Sequence, residues 1–106
     1  MIEIEEGTDN VYADLHLADA SEMLVKARLA SKICSIIKAR QLTQLQAAEL
    51  LGLSQPKVSA LTRGKFRGIS ESKMIDCLAR LGRDIQIVVK EAPRTRREGR
   101  VEVIFA

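Results

Sequence analysis

The stretch that decides the fold is residues 42–65, LTQLQAAELLGLSQPKVSALTRGK. Its first half predicts a short helix, because the Thr43 hydroxyl can cap it while the Gln46 side chain bonds back to the Thr43 N–H, an arrangement called a capping box. The apolar residues that follow recur at helical spacing: Ala47, Ala48 and Leu51. Gly52 then suits the left-handed position that ends many helices.

The second half of the stretch predicts another short helix. Ser54 or Gln55 can cap it, and Pro56 fits its first turn, where an N–H is not needed. Two residues three apart face inward, and a glycine ends the helix: Val58, Leu61 and Gly64. Two helices of about eight residues joined by a glycine turn form a helix-turn-helix, which places its second helix in the major groove of DNA.

The outward positions of this second helix carry short or hydrogen-bonding side chains and no acidic residue: Gln55, Lys57, Ser59, Ala60 and Thr62. Basic residues follow directly: Arg63, Lys65 and Arg67. An ordinary solvated face usually mixes charge signs, whereas a face that contacts phosphates and base edges does not. The pattern therefore favours DNA binding over an ordinary pair of packed helices.

Length and composition set limits on the rest of the chain. Its 106 residues predict one small domain, and only 3% of them are aromatic, so the core must be built of Leu, Ile, Val and Ala. So small a core would gain stability from dimerisation. No apolar run approaches a membrane span, and the acidic start is unlike a signal peptide. We expect a cytoplasmic protein without a membrane partner.

Neither a metal site nor a catalytic site is predicted. Cys34 and Cys77 each fall within a predicted helix, and His16 is the only histidine. A zinc site needs more ligands at closer spacing, so two buried, reduced thiols are expected. The chain also lacks a nucleophile–base pair and a glycine-rich phosphate loop. We expect no catalytic residue, no cofactor and no enzymatic activity.

The sequence predicts three parts of the chain: an acidic N-terminal arm (1–20), a helix-turn-helix domain (21–82) and a C-terminal extension (83–106). Charge is distributed unevenly over them. Residues 1–53 carry a net charge of −3 and residues 54–106 a net charge of +6. At the start of the arm, Ile2 and Ile4 alternate with acidic residues, which weakly predicts a strand, and residues 7–10 (GTDN) predict a turn. The arm has no basic residue, but apolar residues occur among its acids: Val11, Tyr12, Leu15 and Leu17. It fits either a partly disordered solubilising tail or an arm that docks on a basic partner.

Two further helices flank the motif. Asp19 or Ser21 can cap a long helix that runs to about Arg40. Its apolar stripe consists of Leu29, Ile33, Ile36 and Ile37, and its basic residues lie mostly on the solvent side: Lys26, Arg28, Lys32 and Lys38. Ser70 can cap the last helix, and Gly82 ends it. The staple positions of that helix and its buried side are apolar: Ile69, Met74, Ile75, Leu78 and Leu81.

The C-terminal extension changes period. Apolar residues alternate with others in two runs, Ile85, Ile87, Val89 and Val101, Val103, Phe105, which predicts two strands joined by an arginine-rich loop. An isolated hairpin is marginal in water, so the strands need a helix face, another strand or a second subunit. The predicted fold is mainly α, a phage-repressor-like helix-turn-helix bundle with a short C-terminal β extension that serves dimerisation.

Residues 42–65 resemble the Xre/Cro phage-repressor type of helix-turn-helix. The matching residues are Leu42-Thr43-Gln44, Ala48, Gly52, Ser54-Gln55, Val58, Leu61, Arg63 and Gly64. The larger layout resembles the HigA-type antitoxins of toxin–antitoxin operons. That resemblance covers the acidic lead with Asn10-Val11-Tyr12-Ala13-Asp14-Leu15, the segments 54–59 and 63–68, and Leu81-Gly82-Arg83-Asp84-Ile85.

The resemblance implies a function. Such antitoxins bind their own operator as dimers and neutralise a toxin, usually a small basic ribonuclease that acts on the ribosome. By position, Gln44 resembles a phosphate-clamping glutamine, Ser54 a phosphate-contacting cap and Gln55 a base-reading glutamine. Pro56 departs from the pattern, since repressors often carry another polar base reader there, and Ala60 offers only a methyl contact, suited to thymine.

The sequence thus predicts a DNA-binding repressor, the antitoxin of a type II toxin–antitoxin operon, with a stand-alone Xre-family regulator without a toxin as the alternative. The predicted DNA-binding residues are Gln44, Ser54, Gln55, Lys57, Ser59, Ala60, Arg63, Lys65 and Arg67. The expected partners are double-stranded operator DNA, a second copy of the chain and a small basic toxin protein.

Overall fold

The computed structural model describes the backbone of residues 8–106 and the side chains of residues 20–106. Four helices occur in this part of the chain: α1 (Thr8–Ala39), α2 (Gln44–Leu51), α3 (Gln55–Thr62) and α4 (Glu71–Arg80). Helix α1 packs against α3 and α4, and α2 packs against the same two helices. The predicted helical bundle is confirmed.

Helices α2 and α3 begin and end as their sequence predicts. At the start of α2, the Thr43 hydroxyl accepts from the Gln46 N–H at 3.1 Å and the Gln46 side chain accepts from the Thr43 N–H at 2.9 Å, which completes the capping box. Gly52 ends the helix with a φ of 69°. Ser54, rather than Gln55, is the N-cap of α3, and Pro56 lies in its first turn.

The core lies between the four helices and is aliphatic. Its fully buried side chains are Ile33, Leu51, Val58, Leu61, Met74, Cys77 and Leu81, so every helix contributes at least one. Full burial of a Leu, Ile, Val or Met side chain stabilises the fold by about 1.5–3 kcal/mol each. Phe66 adds an aromatic ring at the edge of this core, where it is half-buried.

Helix α4 is capped at its start and tied to α1 beyond its end. The Ser70 hydroxyl accepts from the Lys73 N–H at 3.1 Å, and the two staple residues on either side of this cap, Ile69 and Met74, are both buried. After the helix, the carbonyl of Leu81 accepts a hydrogen bond of 2.7 Å from the Arg40 guanidinium. This bond links the ends of α1 and α4 across the bundle.

Helix α1 begins earlier than predicted, at Thr8 instead of Asp19 or Ser21, so those two residues are not its caps. No glycine or proline interrupts residues 8–39, and a helix that has formed in one part extends through such a stretch. The turn expected at residues 7–10 is therefore helical from Thr8 onward. The weak strand expected at Ile2 and Ile4 lies outside the described residues.

The apolar stripe of α1 is buried as predicted, but one of its lysines is not on the solvent side. Leu29, Ile33, Ile36 and Ile37 are all less than 10% exposed, and so is Lys26, at 7%. The Lys26 ammonium donates a hydrogen bond of 3.1 Å to the backbone carbonyl of Arg67. The prediction for Lys26 was wrong because a loop distant in sequence covers this side of the helix.

The predicted β extension does not form in the single chain, since residues 83–106 contain no strand. Most of its apolar side chains stay in solvent, with Ile87 82% and Val89 91% exposed. A strand exists only when a neighbour completes its hydrogen-bond ladder, and residues 8–106 contain no strand that could do so. Near its end the segment contacts the bundle, where Val103 packs on the core and the Phe105 ring lies against α1.

The molecule is elongated. Its radius of gyration is 16.6 Å, against about 13 Å for an ordinary domain of roughly this length. Helix α1 has 32 residues and is about 48 Å long at 1.5 Å per residue, close to the longest dimension of the molecule, 49 Å. Within residues 8–106, no helix has the length and hydrophobicity that crossing a membrane requires.

Candidate nucleic-acid interface

One face of helix α3 packs in the core, and the opposite face points away from it. Val58 and Leu61 are 0% and 1% exposed and anchor the helix in the core. At about 100° per residue, the face opposite these two carries Pro56, Ser59, Ala60 and Arg63, with Gln55 beside them. Of the positions predicted to face outward, Gln55, Lys57 and Thr62 are exposed, whereas Ser59 and Ala60 are half-buried.

The first turn of α3 carries polar side chains and follows a capping serine, Ser54. The Ser54 oxygen accepts a hydrogen bond of 3.4 Å from the Lys57 N–H, and the same hydroxyl still has a hydrogen to donate. Gln55 is the first residue of the helix, so its exposed amide stands at the tip. Gln44 has the same position in α2, directly after the Thr43 cap, and is also exposed.

The basic loop after α3 (residues 63–68) is held by its backbone. The Lys65 N–H donates to the carbonyl of Ala60 at 2.8 Å, which brings the loop over the last turn of the helix. Phe66 packs at the edge of the core, and its carbonyl accepts a bond of 3.0 Å from the Ile69 N–H. The side chains of Lys65 and Arg67 are exposed on this fixed backbone.

The stretch of chain around α3 carries charge of one sign. Residues 50–70 contain four basic residues and no acidic one. One acid of α4, Asp76, is bound by the Lys73 ammonium at 3.1 Å and by the Arg80 guanidinium at 2.9 Å. The hydrogen bond from Lys73, followed by that from Arg80, holds the pKa of Asp76 below its ordinary value. This acid is thus ionised and paired with two basic residues at neutral pH.

Comparison with known proteins agrees with this geometry. A family model described as "Helix-turn-helix domain" matches residues 11–90. A solved structure named "Putative XRE Family Transcriptional Regulator" is 40% identical, with a TM-score of 0.77, and the match covers 83% of this chain and 99% of that one. This chain belongs to the XRE family of helix-turn-helix proteins. No curated protein sequence matches it.

In this XRE-family chain, all the predicted DNA-binding residues except Gln44 lie on α3 or at its two ends. Ser54, Gln55 and Lys57 form the first turn of α3, Ser59 and Ala60 its middle, and Arg63, Lys65 and Arg67 the end of the helix and the following loop; Gln44 begins α2. All of these residues are exposed except Ser59 and Ala60 in the middle of the helix, which are half-buried.

Sequence reasoning did not identify Lys26, a residue of α1 whose side chain is hydrogen-bonded to the basic loop. A signal existed, because Lys26 stands three and seven residues before Leu29 and Ile33 and therefore occupies a position of the apolar stripe. A lysine at such a position is buried only when its ammonium finds a partner. Its acceptor, the carbonyl of Arg67, lies 41 residues away, a distance that helix periodicity does not reveal.

The cysteines of the XRE chain are free thiols. The Cys34 thiol, half-buried, donates to the carbonyl of Leu61 at 3.4 Å, and Cys77 is buried in the core. Burial raises the pKa of both thiols, which keeps them protonated and weakly nucleophilic at neutral pH. In the part of the chain that the structure describes, no three metal-ligating side chains come together.

Proposed function

We propose that this XRE protein is a sequence-specific DNA-binding transcriptional repressor that reads the major groove with α3. The observation that carries the proposal is the exposed Gln55 at the tip of a helix whose other face is locked in the core by Val58 and Leu61. The helix and the loop that follows it carry four basic residues and no acid. Both features are those of a recognition helix.

Direct base reading rests on few groups. The Gln55 amide can donate and accept in the pattern that adenine presents in the major groove. The Ser59 hydroxyl can bond to any base edge within reach, and the Ala60 methyl suits thymine. Pro56 offers no hydrogen bond, so Gln55 supplies the largest share of base discrimination.

Phosphate contacts supply most of the affinity. The residues proposed for them are Gln44, Ser54, Lys57, Arg63, Lys65 and Arg67. Five of them lie at the two ends of α3 and Gln44 begins α2, so the helix would be held to the two strands that border the groove. Each neutralised phosphate adds about 0.9 to the slope of log K against log salt concentration.

The deciding experiment measures operator binding by fluorescence anisotropy at several salt concentrations. Gln55→Ala should cost about 1–3 kcal/mol on the native operator and relax preference at one base pair. Lys65→Ala should weaken all sequences alike and lower the salt slope by about one unit. Lys38→Ala removes an exposed lysine on α1 and serves as the control. If Gln55→Ala leaves affinity and sequence preference intact, α3 is not the reading helix.

We further propose that the repressor is a homodimer joined through residues 83–106. These residues leave their apolar side chains in solvent, including Ile87, Val88 and Val101, each at least 75% exposed. A second copy would supply the missing strand neighbour and cover these side chains, so the β extension would form on association. A symmetric dimer would also present two α3 helices to half-sites about 34 Å apart.

The dimer proposal is tested by a chain that ends at Gly82. Multi-angle light scattering should give the mass of a monomer for this chain and the mass of a dimer for the full chain. Operator affinity should fall at the same time, because one α3 reads only a few base pairs. A truncated chain that still dimerises would contradict the proposal and move the interface to the helical bundle.

The proposed biological role is that of the antitoxin in a type II toxin–antitoxin operon, where residues 1–20 help to hold a small basic ribonuclease. What supports this role is the acidic sequence of the arm, with Val11, Tyr12, Leu15 and Leu17 available as apolar anchors, together with the resemblance to HigA-type antitoxins. The alternative, a stand-alone XRE regulator, needs only α3 and its flanking residues. A small basic open reading frame overlapping this gene would favour the antitoxin.

Deletion of residues 1–20 tests the antitoxin role directly. The shortened chain is first shown to fold and to bind its operator, and is then co-expressed with the adjacent small basic protein. Loss of neutralisation with DNA binding retained would support the role. Full protection of the cells and an unchanged complex would contradict it and favour the stand-alone regulator.

A further inference from the structure

Lys26 is the one charged side chain that is buried among residues 20–106. It lies on α1, outside the helix-turn-helix, and is 7% exposed. Its ammonium donates a hydrogen bond of 3.1 Å to the carbonyl of Arg67 in the basic loop. A buried charge therefore connects the first helix of the bundle to the loop that follows the recognition helix.

Stability alone does not account for a lysine at this place. Burial of an ammonium is unfavourable even when it is hydrogen-bonded, and an apolar side chain of similar volume often stabilises a core as well or better. Methionine has nearly the length of lysine and adapts to irregular space. What methionine would lack at position 26 is the bond to the Arg67 carbonyl.

The bond completes the attachment of the basic loop. The loop is held at one end by the bond from the Lys65 N–H to the Ala60 carbonyl and at the other by the bond from the Ile69 N–H to the Phe66 carbonyl. Arg67 lies between these points, and its carbonyl is held by Lys26. A loop fixed before binding loses less conformational entropy when its side chains contact phosphates.

We propose that Lys26 is a positioning residue for DNA binding, which holds the basic loop so that Lys65 and Arg67 meet the phosphates beside the recognition helix. This inference rests on the proposed function, because it assigns a task to a residue that itself need not touch DNA. It makes an unusual prediction: the removal of the buried charge weakens DNA binding while the fold remains as stable as before.

The experiment compares Lys26→Met, Lys26→Arg and Lys38→Met in the full chain. Lys38 lies on the same helix and is exposed, so its replacement makes the same change in net charge without the loop contact. Thermal unfolding reports the fold, and anisotropy with the native operator at several salt concentrations reports the affinity and the number of phosphate contacts. Hydrogen exchange at the amides of residues 65–69 reports the loop itself.

Lys26→Met should unfold at or above the wild-type temperature, bind the operator about tenfold less tightly and lower the salt slope by about one to two units. Lys26→Arg keeps a donor and should restore the slope, while Lys38→Met should stay within about twofold of wild type. In a Lys65→Ala background the effect of Lys26→Met should shrink, because both changes act through one loop. Amides 65–69 should exchange faster in Lys26→Met alone.

The outcomes separate this inference from the proposed function. If the wild-type chain binds no operator, the proposed function fails and the inference fails with it. If the wild-type chain binds and Lys26→Met has the same affinity and salt slope, only the inference is overturned. A Lys26→Met chain that does not fold also overturns it, because Lys26 would then have a purely structural role.

Discussion

The helix-turn-helix (residues 43–64) and the C-terminal segment (residues 83–106) are both rich in aliphatic residues, and the chain treats them in opposite ways. In the motif, Leu51, Val58 and Leu61 are at most 1% exposed. In the C-terminal segment, Ile87, Val89 and Ile104 are more than 80% exposed. A helix satisfies its backbone within itself and then needs only one covered face, whereas a strand must find a neighbour before it can bury anything.

The largest expected difference concerns the aliphatic side chains. Leu61→Ala should lower the free energy of unfolding by about 2–5 kcal/mol, because it leaves a cavity in the core. Ile87→Ala should change it by less than about 0.5 kcal/mol at protein concentrations where the chain is monomeric. Urea denaturation at two protein concentrations measures both, and a concentration-dependent loss for Ile87→Ala would reveal the dimer. Equal losses of unfolding free energy for the two variants in dilute protein would contradict the difference between the two regions.

Glycine substitution should give a smaller difference in stability between the two regions. Gly52→Ala should cost about 1–2 kcal/mol, because an L-residue is strained at a φ of 69° and the new Cβ would lie 3.1 Å from Arg80 Nη1. At Gly99 an added methyl group would meet no atom within 4 Å, so Gly99→Ala should be neutral or slightly stabilising. Thermal unfolding checks the pair. A neutral Gly52→Ala would mean that the turn relaxes.

Loss of the capping box should destabilise the fold less than the substitution of Gly52. Thr43→Ala removes the acceptor for the Gln46 N–H and should cost about 1 kcal/mol. Thr95→Ala, an exposed threonine of the C-terminal segment, is the control and should have no measurable effect. Amide exchange in the first turn of α2 should rise in Thr43→Ala; unchanged exchange would show that another group replaces the cap.

The smallest effect is expected at the ion pairs of Asp76. Because Lys73 and Arg80 lower the pKa of this carboxyl in the folded state, the pairs stabilise the fold above the ordinary pKa of 3.8, and the stabilisation is lost as the pH falls through the lowered value. Asp76→Asn should therefore unfold at a lower temperature than wild type at pH 7, and the gap should close in acid and in high salt. A gap that persists in acid would point to a different cause.

The sequence allowed the prediction of those parts of the fold that short-range interactions determine. Thr43, Gly52 and Ser70 end or begin helices through contacts with residues at most four positions away, so their roles were visible in the order of residues alone. Exposure of Gln55 and Lys57 followed from helix periodicity in the same way. The family comparison agrees with the motif that these signals predicted.

The parts that could not be predicted depend on distant groups or on another chain. Lys26 is buried with its ammonium bonded to the carbonyl of Arg67, 41 residues away. The half-burial of Ser59 and Ala60 was not visible in the helical periodicity. The alternation at residues 85–89 was a genuine strand pattern, but a pattern cannot supply the neighbour that makes a strand. The start of α1 was misplaced because turn-forming residues at 7–10 outweighed the uninterrupted helical stretch behind them.

The length of α1 has a hydrodynamic consequence. An elongated particle experiences more friction than a sphere of the same mass, so this chain should sediment more slowly and leave a gel-filtration column earlier than globular standards of 11.8 kDa. A monomer could then be mistaken for a larger, compact species. For this protein, a stoichiometry is meaningful only when mass is measured independently of shape, by scattered light or by native mass spectrometry.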